Sequence, residues 1–406
     1  MTASLPFLPY GRHVLDDRDI EAVVQVLRGD WLTTGPTIEA FEAAFAEAVQ
    51  ARDAIVVSIG TAALHLASLA LDLGPDDAVI VPAITFVTTA NAPHLTGAQV
   101  IFADVDAETG LMGESHFAAA LTRAQAKHVR AVFPVHLGGQ SENMAAIGAL
   151  ARQQGIAVIE DACHALGSAY TGAGGMIGDC RHSDMAAFSL HPVKTAAMGE
   201  GGVITTNDGQ LASRLRQLRN HGLIRDCEAW RNASLGFDAA GNPNPWYYEM
   251  HAPGFNYRAS DIHCALGLSQ LGKLRSFAGR RRELVEEYDR QIVRLGSVVR
   301  PLGRAPSNSP AWHLYVALID FETAGISRGE VMRRLHGRCI GTQVHYIPVH
   351  LQPYYREQAP TPVLAGAEAY YARCLSLPLF PAMTTADVTR VVDALAEELG
   401  LNNRRP

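Results

Sequence analysis

The sequence predicts an α/β fold in which a mostly parallel, seven-stranded sheet is wrapped by helices and followed by a smaller C-terminal α+β domain. Two patterns support this prediction. Short strands rich in Val and Ile alternate with helices between residues 54 and 206, which is typical of a parallel sheet buried on both faces. After about residue 220 the alternation stops, and a polar, aromatic stretch leads into long helices and a strand-helix-strand-helix tail.

The individual elements follow from these periodicities. Strands are predicted over residues 54–57, 78–82, 99–103, 129–135, 157–161, 185–189 and 202–206. Helices are predicted between them over residues 16–28, 37–49 (with Thr37 as the cap), 60–73, 88–96, 114–121 and 144–154. After a long loop over 227–249, the tail is predicted to contain helices over 260–293, 327–335 and 385–399 and strands over 312–319 and 342–347. We place the domain boundary near residue 255, which gives a large domain over 1–255 and a small one over 256–406.

Composition limits the classes of function. The chain has 406 residues and a formal net charge of −7, so no nucleic-acid partner is expected. Its six cysteines are scattered without metal-ligand spacing, and we expect reduced thiols and no metal site. Residues 1–10 lack the pattern of a signal peptide, and no apolar run approaches the length of a membrane span. The expectation is therefore a cytoplasmic protein without a membrane partner.

Lys194 is a candidate catalytic amine because of its surroundings. It follows a predicted strand, and Pro192 with the glycines at 199, 201 and 202 favours an irregular, accessible loop. Schiff-base chemistry needs an amine beside a cleft, with its pKa lowered by desolvation or cationic neighbours. The alternative is an ordinary surface lysine, so the interpretation depends on the residues predicted to surround it.

Asp161 is the first of these residues. It ends the predicted strand 157–161, and ligands of open α/β sheets collect at the carboxyl ends of strands. Enzymes that use pyridoxal 5′-phosphate (PLP) need a carboxylate on the pyridine nitrogen, which keeps the ring protonated and able to accept electrons. A helix N-cap is the competing role for Asp161. His164, three residues further on, reaches the 3-oxygen of such a ring or is a core histidine.

The turn at Gly60 and Thr61, between a predicted strand and helix, is a candidate phosphate site. A glycine allows close backbone approach, and the helix N-terminus offers free N–H groups and the positive end of its dipole. Ser189 could add a further hydroxyl. Phe86 could stack on the ring, with plain core packing as the alternative.

With these residues assembled, the sequence resembles the DegT/DnrJ/EryC1/StrS family of sugar aminotransferases, within the type I fold of PLP-dependent transferases. The segments 160–167 and 189–202 carry most of the resemblance, which covers nearly the whole chain. It implies that Lys194 holds PLP as a Schiff base and that Asp161 contacts the pyridine nitrogen. It also implies that His164 lies near the 3-oxygen.

The same resemblance implies that Gly60, Thr61 and Ser189 bind the phosphate. It further implies that Asn256 reaches the phosphate of the neighbouring subunit's cofactor, so that the active sites are shared within a homodimer. The sequence departs from the family at Ile59, where Ser or Asn is usual. A side-chain hydrogen bond from that position is therefore absent.

Three further stretches, residues 30–36, 245–249 and 343–355, resemble the family's transaminases of pseudaminic acid synthesis. That resemblance implies transfer of an amino group from L-glutamate to a nucleotide-linked 4-keto-6-deoxy sugar, giving UDP-4-amino-4,6-dideoxy-N-acetyl-β-L-altrosamine. Loop and interface packing is the alternative for these stretches. The residues implied to line the sugar-nucleotide site are Tyr10, Trp31, Leu32, Thr33, Thr34, His345, Tyr346 and His350.

Other functions found on this fold can be compared with the sequence by the residues and segments that they require. Sugar aminotransferases of other nucleotide sugars share the same motifs. PLP-dependent sugar dehydratases resemble this chain but carry histidine in place of the lysine, so Lys194 argues against them. Non-enzymatic PLP-binding regulators usually carry an N-terminal DNA-binding helix-turn-helix, and the resemblance here begins within about the first ten residues.

Overall fold

A computed structural model describes residues 6–124, 127–172, 174–358 and 362–401. Residues 1–5, the first half of the N-terminal segment 1–10 that lacks the pattern of a signal peptide, lie outside this range. The described strands are β1 (Asp53–Val57), β2 (Asp77–Pro82), β3 (Gln99–Ala103), β4 (His128–Val132), β5 (Ala157–Asp161), β6 (Ala169–Tyr170), β7 (Met185–Ser189), β8 (Gly202–Thr206), β9 (Leu223–Ile224), β10 (Glu249–Met250), β11 (Val299–Pro301), β12 (Asn308–Ser309), β13 (Tyr315–Ile319) and β14 (Cys374–Leu377). The described helices are α1 (Asp17–Arg28), α2 (Pro36–Val49), α3 (Gly60–Ala70), α4 (Val87–His94), α5 (Glu114–Ala124), α6 (Met144–Gln154), α7 (Gly209–Arg219), α8 (Ala233–Gly236), α9 (Asp261–Leu271), α10 (Leu274–Ile292), α11 (Phe321–Ala324), α12 (Arg328–Gly337), α13 (Pro353–Gln358), α14 (Ala365–Arg373) and α15 (Thr385–Glu398).

The large sheet has seven strands in the order β1-β8-β7-β5-β4-β2-β3. Only β8 runs against its neighbours, pairing antiparallel with both β1 and β7, while the other pairings are parallel. The predicted mostly parallel, seven-stranded sheet is therefore confirmed. Because six strands share one direction, their carboxyl ends meet along one edge of the sheet.

Both faces of this sheet are buried. Along β1, Ile55 and Val57 face one core while Ala54 and Val56 face another, as the two-residue period of a strand requires. The first core is completed by α3, α5, α6 and α7, and the second by α2 and α9. This arrangement explains why the strands read as continuous apolar runs.

A third core belongs to the C-terminal part of the chain. The sheet β11-β13-β14 is antiparallel, and α10, α12 and α15 cover it, which is an α+β arrangement. Residue Leu8 also packs into this core, and Cys264 of α9 packs with the large sheet instead. The division at residue 255 stays a prediction, and this packing favours a boundary inside α10.

Several local predictions were wrong. Thr37 does not cap α2: the N-cap is Gly35 without a side-chain hydrogen bond, and Asp261 accepts from the N–H groups of Gly35 and Thr37 at 2.8 and 3.1 Å. The predicted strand 342–347 is replaced by an irregular segment with one bridge from Gln343 to Ser376. Its apolar residues Val344 and Tyr346 pack against the large core rather than alongside a strand.

Helix α7 was not predicted, and the stretch 227–249 contains the short helix α8 within its loops. The predicted helices over 260–293 are present as α9 and α10. Among the described residues, no helix combines the length and the apolar character needed to cross a membrane.

Candidate active site

A cavity of about 620 Å³ opens at the carboxyl edge of the large sheet. It lies where β2, β5 and β7 end and where α3 and α4 begin, which is the usual ligand position in open α/β sheets. The structure brings most of the predicted site residues together there, namely Tyr10, Gly60, Thr61, Phe86, Asp161, His164, Ser189, Lys194, His345 and Tyr346.

Lys194 is half-buried in the loop after β7, where its N–H donates to the carbonyl of His191 at 2.8 Å. Burial lowers the pKa of its ammonium group, and the nearby Cys163 and Asp161 only partly oppose this. A lowered pKa leaves a larger fraction of the amine neutral, and the neutral amine is the nucleophile in Schiff-base formation.

The composition makes Lys194 stand out further. The sequence contains only two other lysines, Lys127 and Lys273. Lys127 is exposed, and the Lys273 ammonium lies 2.5 Å from Asp16 and 2.7 Å from Asp19. Burial opposes the charge of Lys273, but these carboxylates raise its pKa. Lys194 is therefore the lysine whose surroundings favour a reactive amine.

The Asp161 side chain is 6% exposed and held by two hydrogen bonds. Its Oδ2 accepts from the Thr89 hydroxyl at 2.6 Å, and its Oδ1 accepts from the Cys163 N–H at 3.1 Å. The Thr89 hydroxyl also lies 2.7 Å from that of Thr85. The acid at the end of β5 therefore has a fixed orientation within the cavity wall. The N-cap alternative is wrong, because in the described part of the chain no helix begins directly after Asp161 and the next element is β6.

His164 has a defined protonation pattern. Burial, Lys194 and His345 hold its pKa well below the usual value, so the ring is neutral. The N–H of Gly138 donates to Nδ1 at 3.3 Å, and Nε2 lies 3.1 Å from the Tyr346 hydroxyl. Because Nδ1 accepts, the single ring proton lies on Nε2 and is donated to Tyr346.

Two more imidazoles lie beside His164. The rings of His164 and His313 are 4.4 Å apart between centroids, and His345 meets His164 edge-on at 6.3 Å. Burial lowers the pKa of His345 to about 3, with a smaller contribution from Lys194. Burial also holds the pKa of His313 well below its usual value. Because these imidazoles are neutral, they add no charge beside Lys194.

The other end of the cavity is suited to an anion. A Cβ added at Gly60 would lie 2.9 Å from the Ser189 Cβ, so glycine is what allows this close contact. The N-cap of α3 is Ile59, which makes no side-chain cap hydrogen bond. Among the described residues, the first N–H groups of α3 therefore lack a capping side chain, and a phosphate can take that place.

Several of the predicted residues lie away from this cavity. Trp31 and Leu32 are exposed, and Thr34 lines a separate surface cavity with Arg216 and Arg258. Thr33 pairs with Ser260, and Asn256, which precedes Ser260 in the chain, is exposed. His350 is 2% exposed, lies near Phe102, and has no hydrogen-bond partner for either ring nitrogen among the described residues. The assignment of these residues to a sugar site stays a prediction.

Sequence reasoning missed two residues that shape the cavity. Thr89 lies within the first turn of α4, whereas Thr85 lies just before its N-cap, Phe86. Because Thr85 is outside the helix, helical spacing does not indicate that the two hydroxyls meet. His313 directly precedes the apolar run that forms β13. Its contact with His164 comes from distant parts of the chain, so no local pattern could reveal it.

These groups fit PLP. A lysine with a lowered pKa, an oriented carboxylate and an uncapped helix N-terminus beside two hydroxyls match the aldehyde, the pyridine nitrogen and the phosphate of that cofactor. The fold and the site together define a PLP-dependent enzyme of the type I transferase fold.

Comparison with known proteins narrows this class. A family model described as the DegT/DnrJ/EryC1/StrS aminotransferase family matches residues 13–396. The chain is 39% identical over 397 residues to SpsC, a spore coat polysaccharide biosynthesis protein of Bacillus subtilis (strain 168), with 96% of this chain and 97% of that protein covered. The chain therefore belongs to the DegT/DnrJ/EryC1/StrS aminotransferase family, and the protein is a PLP-dependent sugar aminotransferase.

Solved structures agree with this assignment. Helicobacter pylori PseC, an aminotransferase involved in the biosynthesis of pseudoaminic acid, superposes with a TM-score of 0.85 at 26% identity, covering 97% of this chain and 99% of that one. DesI, whose structure was determined in the presence of its TDP-sugar product, has a TM-score of 0.83 at 29% identity, covering 98% and 94%.

Proposed function

We propose that this enzyme transfers the amino group of L-glutamate to the 4-keto carbon of a nucleotide-linked 4-keto-6-deoxy sugar. The product we propose is UDP-4-amino-4,6-dideoxy-N-acetyl-β-L-altrosamine, an intermediate of pseudaminic acid synthesis. The single observation that carries the chemistry is the convergence of Lys194 and Asp161 on one cavity. The likeness to PseC supports the choice of sugar.

The predicted site residues of the cavity have the following roles in this proposal. Bound PLP supplies an aldehyde carbon that carries the amino group and a ring that holds electrons during proton transfer. Lys194 Nζ takes the proton from the α-carbon of glutamate and later gives a proton to C4 of the sugar, as general base and then acid. Asp161 faces the pyridine nitrogen, His164 lies near the 3-oxygen, and Gly60, Thr61 and Ser189 bind the phosphate.

The neutral ring of His164 donates its Nε2 proton to Tyr346, as its contacts indicate. Burial, with further contributions from Asp161, Cys163 and Tyr10, holds the pKa of the Tyr346 hydroxyl well above its usual value. That hydroxyl therefore keeps its own proton and can donate it to a group in the cavity. We assign it, with Tyr10 and His345, to the side of the cavity that meets the sugar.

The nucleotide diphosphate poses a separate requirement. Among the described residues that line the cavity, Lys194 is the only lysine, and no arginine is present. A dianionic diphosphate needs local positive contacts, so they must come from the rim or from another subunit. Independently of this charge requirement, we propose a homodimer in which Asn256 and the segment 31–34, exposed in this chain, contribute uncharged side chains to the partner's site.

A second candidate is amination of a dTDP-linked keto sugar. DesI, which was solved with a TDP-sugar product, is slightly more similar in sequence than PseC. Amination of a GDP-linked keto sugar is a further alternative of the same reaction type. A non-enzymatic PLP-binding regulator is disfavoured, because the chain belongs to a family of aminotransferases.

The test is a panel of UDP-, dTDP- and GDP-linked 4-keto sugars with L-glutamate as donor. The proposal expects 2-oxoglutarate release from glutamate alone and the highest kcat/KM with the UDP-linked N-acetyl 4-keto sugar. A higher kcat/KM with a dTDP sugar would replace the UDP assignment. Failure of glutamate alone to release 2-oxoglutarate would remove the donor assignment.

A further inference from the structure

Two buried threonines form a chain of hydroxyl groups that ends on Asp161. Thr85 is 1% exposed and Thr89 is 0% exposed. Their hydroxyl oxygens are 2.7 Å apart, and the Thr89 hydroxyl donates to Asp161 Oδ2 at 2.6 Å. Neither threonine has a role in the reaction described so far.

The direction of this chain follows from the acceptor at its end. A carboxylate can only accept hydrogen bonds, and a hydroxyl has one proton. Because Thr89 gives its proton to Asp161, its oxygen must accept from Thr85. The chain therefore runs from Thr85 through Thr89 to the carboxylate, and each hydroxyl is satisfied without water.

An aspartate needs such a contact to hold one orientation. The torsion that turns a carboxylate about its Cβ–Cγ bond is broad and sets no unique position. A threonine in a helix is restricted at χ1 by its branched Cβ, and Thr89 lies in the first turn of α4. The rigid hydroxyl of Thr89 and the N–H of Cys163, 3.1 Å from Oδ1, thus fix the plane of the carboxylate from both sides.

We propose that Thr89 is a positioning residue for the reaction, whose hydroxyl, backed by Thr85, aims the Asp161 carboxylate at the pyridine nitrogen. This inference rests on the proposed role of Asp161. An oriented carboxylate needs no rearrangement as charge moves into the ring, and such preorganisation lowers the barrier to proton transfer at the substrate carbon. Thr85 supports Thr89 and has a smaller effect.

The experiment compares four variants in PLP binding and in the reaction with glutamate alone. PLP affinity is measured on the apoenzyme by equilibrium dialysis, and the glutamate reaction is followed by stopped-flow absorbance at saturating glutamate. Thr89→Val keeps the shape but removes the hydroxyl, whereas Thr89→Ser keeps the hydroxyl. Thr85→Val tests the supporting hydroxyl. Thr205→Val is the matched control, since Thr205 is 0% exposed and donates to the carbonyl of Gly178 at 2.8 Å, away from the cavity.

Loss of one hydrogen bond to a charged group predicts that Thr89→Val reacts with glutamate on the order of ten- to a hundredfold more slowly and binds PLP about tenfold more weakly. Thr89→Ser should recover most of the rate and most of the PLP affinity. Thr85→Val should react roughly threefold more slowly than the wild type. Thr205→Val should lower the unfolding temperature and leave the rate unchanged.

Equal impairment of Thr89→Ser and Thr89→Val would overturn the inference, because the methyl group rather than the hydroxyl would then matter. A PLP affinity and a rate in Thr89→Val that equal those of the wild type would also overturn the inference. If the wild-type enzyme does not react with glutamate, the proposed donor is wrong. The PLP affinities of the variants then still decide the role of Thr89.

Discussion

The two ends of the cavity are built differently. At the inner end, Asp161, His164 and Lys194 come from the carboxyl edge of one sheet. The side chains of Asp161 and His164 have hydrogen-bond partners within the same chain, and the backbone N–H of Lys194 donates to His191. At the outer end, the apolar side chain of Ile347 is 48% exposed. The side chains of Asp161 and His164 at the inner end are thus oriented by contacts within one chain, whereas the outer end is open to solvent.

The difference indicates that the two ends have different roles. Side chains that are oriented before binding can hold a cofactor without rearrangement. An open rim with exposed apolar side chains is suited to a substrate that enters and leaves, and such patches commonly mark ligand surfaces or subunit contacts. Variants at the two ends test whether their roles differ.

The largest effect is expected at the inner end. Lys194→Ala removes the amine that binds the cofactor aldehyde and moves the proton, so turnover should fall by roughly 10⁴-fold or more. The visible absorbance of the bound cofactor should also change, since no other amine in the cavity can replace it. Steady-state kinetics with glutamate and a keto sugar check this, and full activity in this variant would exclude the proposed mechanism.

Sharing of the site between subunits can be tested by mixing two defective chains. If Asn256 of one subunit serves the other's cofactor, Asn256→Ala should bind PLP about tenfold more weakly. Refolding this variant with Lys194→Ala should produce mixed dimers that each contain one complete site. About half of the dimers are then mixed, so activity should return to about a quarter of the wild-type level when it is assayed at a PLP concentration that leaves Asn256→Ala mostly unloaded.

Either of the two variants refolded with itself provides the control. Activity in the mixture that equals the average of the two separate variants would show that sites are not shared. Light scattering on the same samples establishes whether dimers form at all.

The buried histidines of the cavity predict an acid sensitivity. His345 has a folded-state pKa of about 3 and is therefore neutral in the folded protein above that pH. In the unfolded chain the same side chain takes up a proton below a pH of about 6.5. Its contribution to stability is therefore fully present above that pH and is lost as the pH falls toward 3. The free energy of unfolding of the apoenzyme should fall by about 1.4 kcal/mol per pH unit for this one group.

His345→Gln should flatten that pH dependence by the slope of one proton between about pH 6 and 4.5. Urea unfolding at several pH values measures this. The same slope in the variant and the wild type would mean that His345 is protonated in the folded protein. The variant's KM for the sugar reports its role in binding independently.

The smallest effect is expected at His350, which was assigned to the sugar site by resemblance. The structure buries it near Phe102, outside the residues that line the cavity. An apolar side chain of similar size removes two buried, unpartnered nitrogens, so His350→Leu should be neutral or stabilising. Its KM for the sugar should stay within about twofold of wild type, since the side chain makes no contact there. A tenfold rise in KM would return His350 to the sugar site.

The sequence was most informative where chemistry depends on local order. Lys194 follows a strand and precedes a glycine-rich turn, and Asp161 ends a strand of apolar residues, so both could be placed at the same sheet edge. The paired hydroxyls of Thr85 and Thr89 left no such signal, because Thr85 lies before the helix that contains Thr89. Their partner is 72 residues away along the chain, so only the fold reveals what they hold.

The outer end could not be predicted in the same way. Segment 342–347 has the alternation of a strand, yet it forms an irregular wall of the cavity because Val344 and Tyr346 pack inward. Trp31 and Asn256 lie on the surface of this chain. Contacts between subunits leave no periodic signal in a sequence, and a resemblance could only imply them.

Chemical trapping of the cofactor tests the central claim most directly. The holoenzyme is reduced with borohydride, digested, and its peptides are mapped by mass spectrometry, with Lys127 and Lys273 of the same chain as internal controls. We predict one phosphopyridoxyl group per chain, on the peptide that contains Lys194, and none on the other two lysines. A phosphopyridoxyl group on Lys127 or Lys273, or an unmodified Lys194 in holoenzyme that converts glutamate, would contradict the role of Lys194.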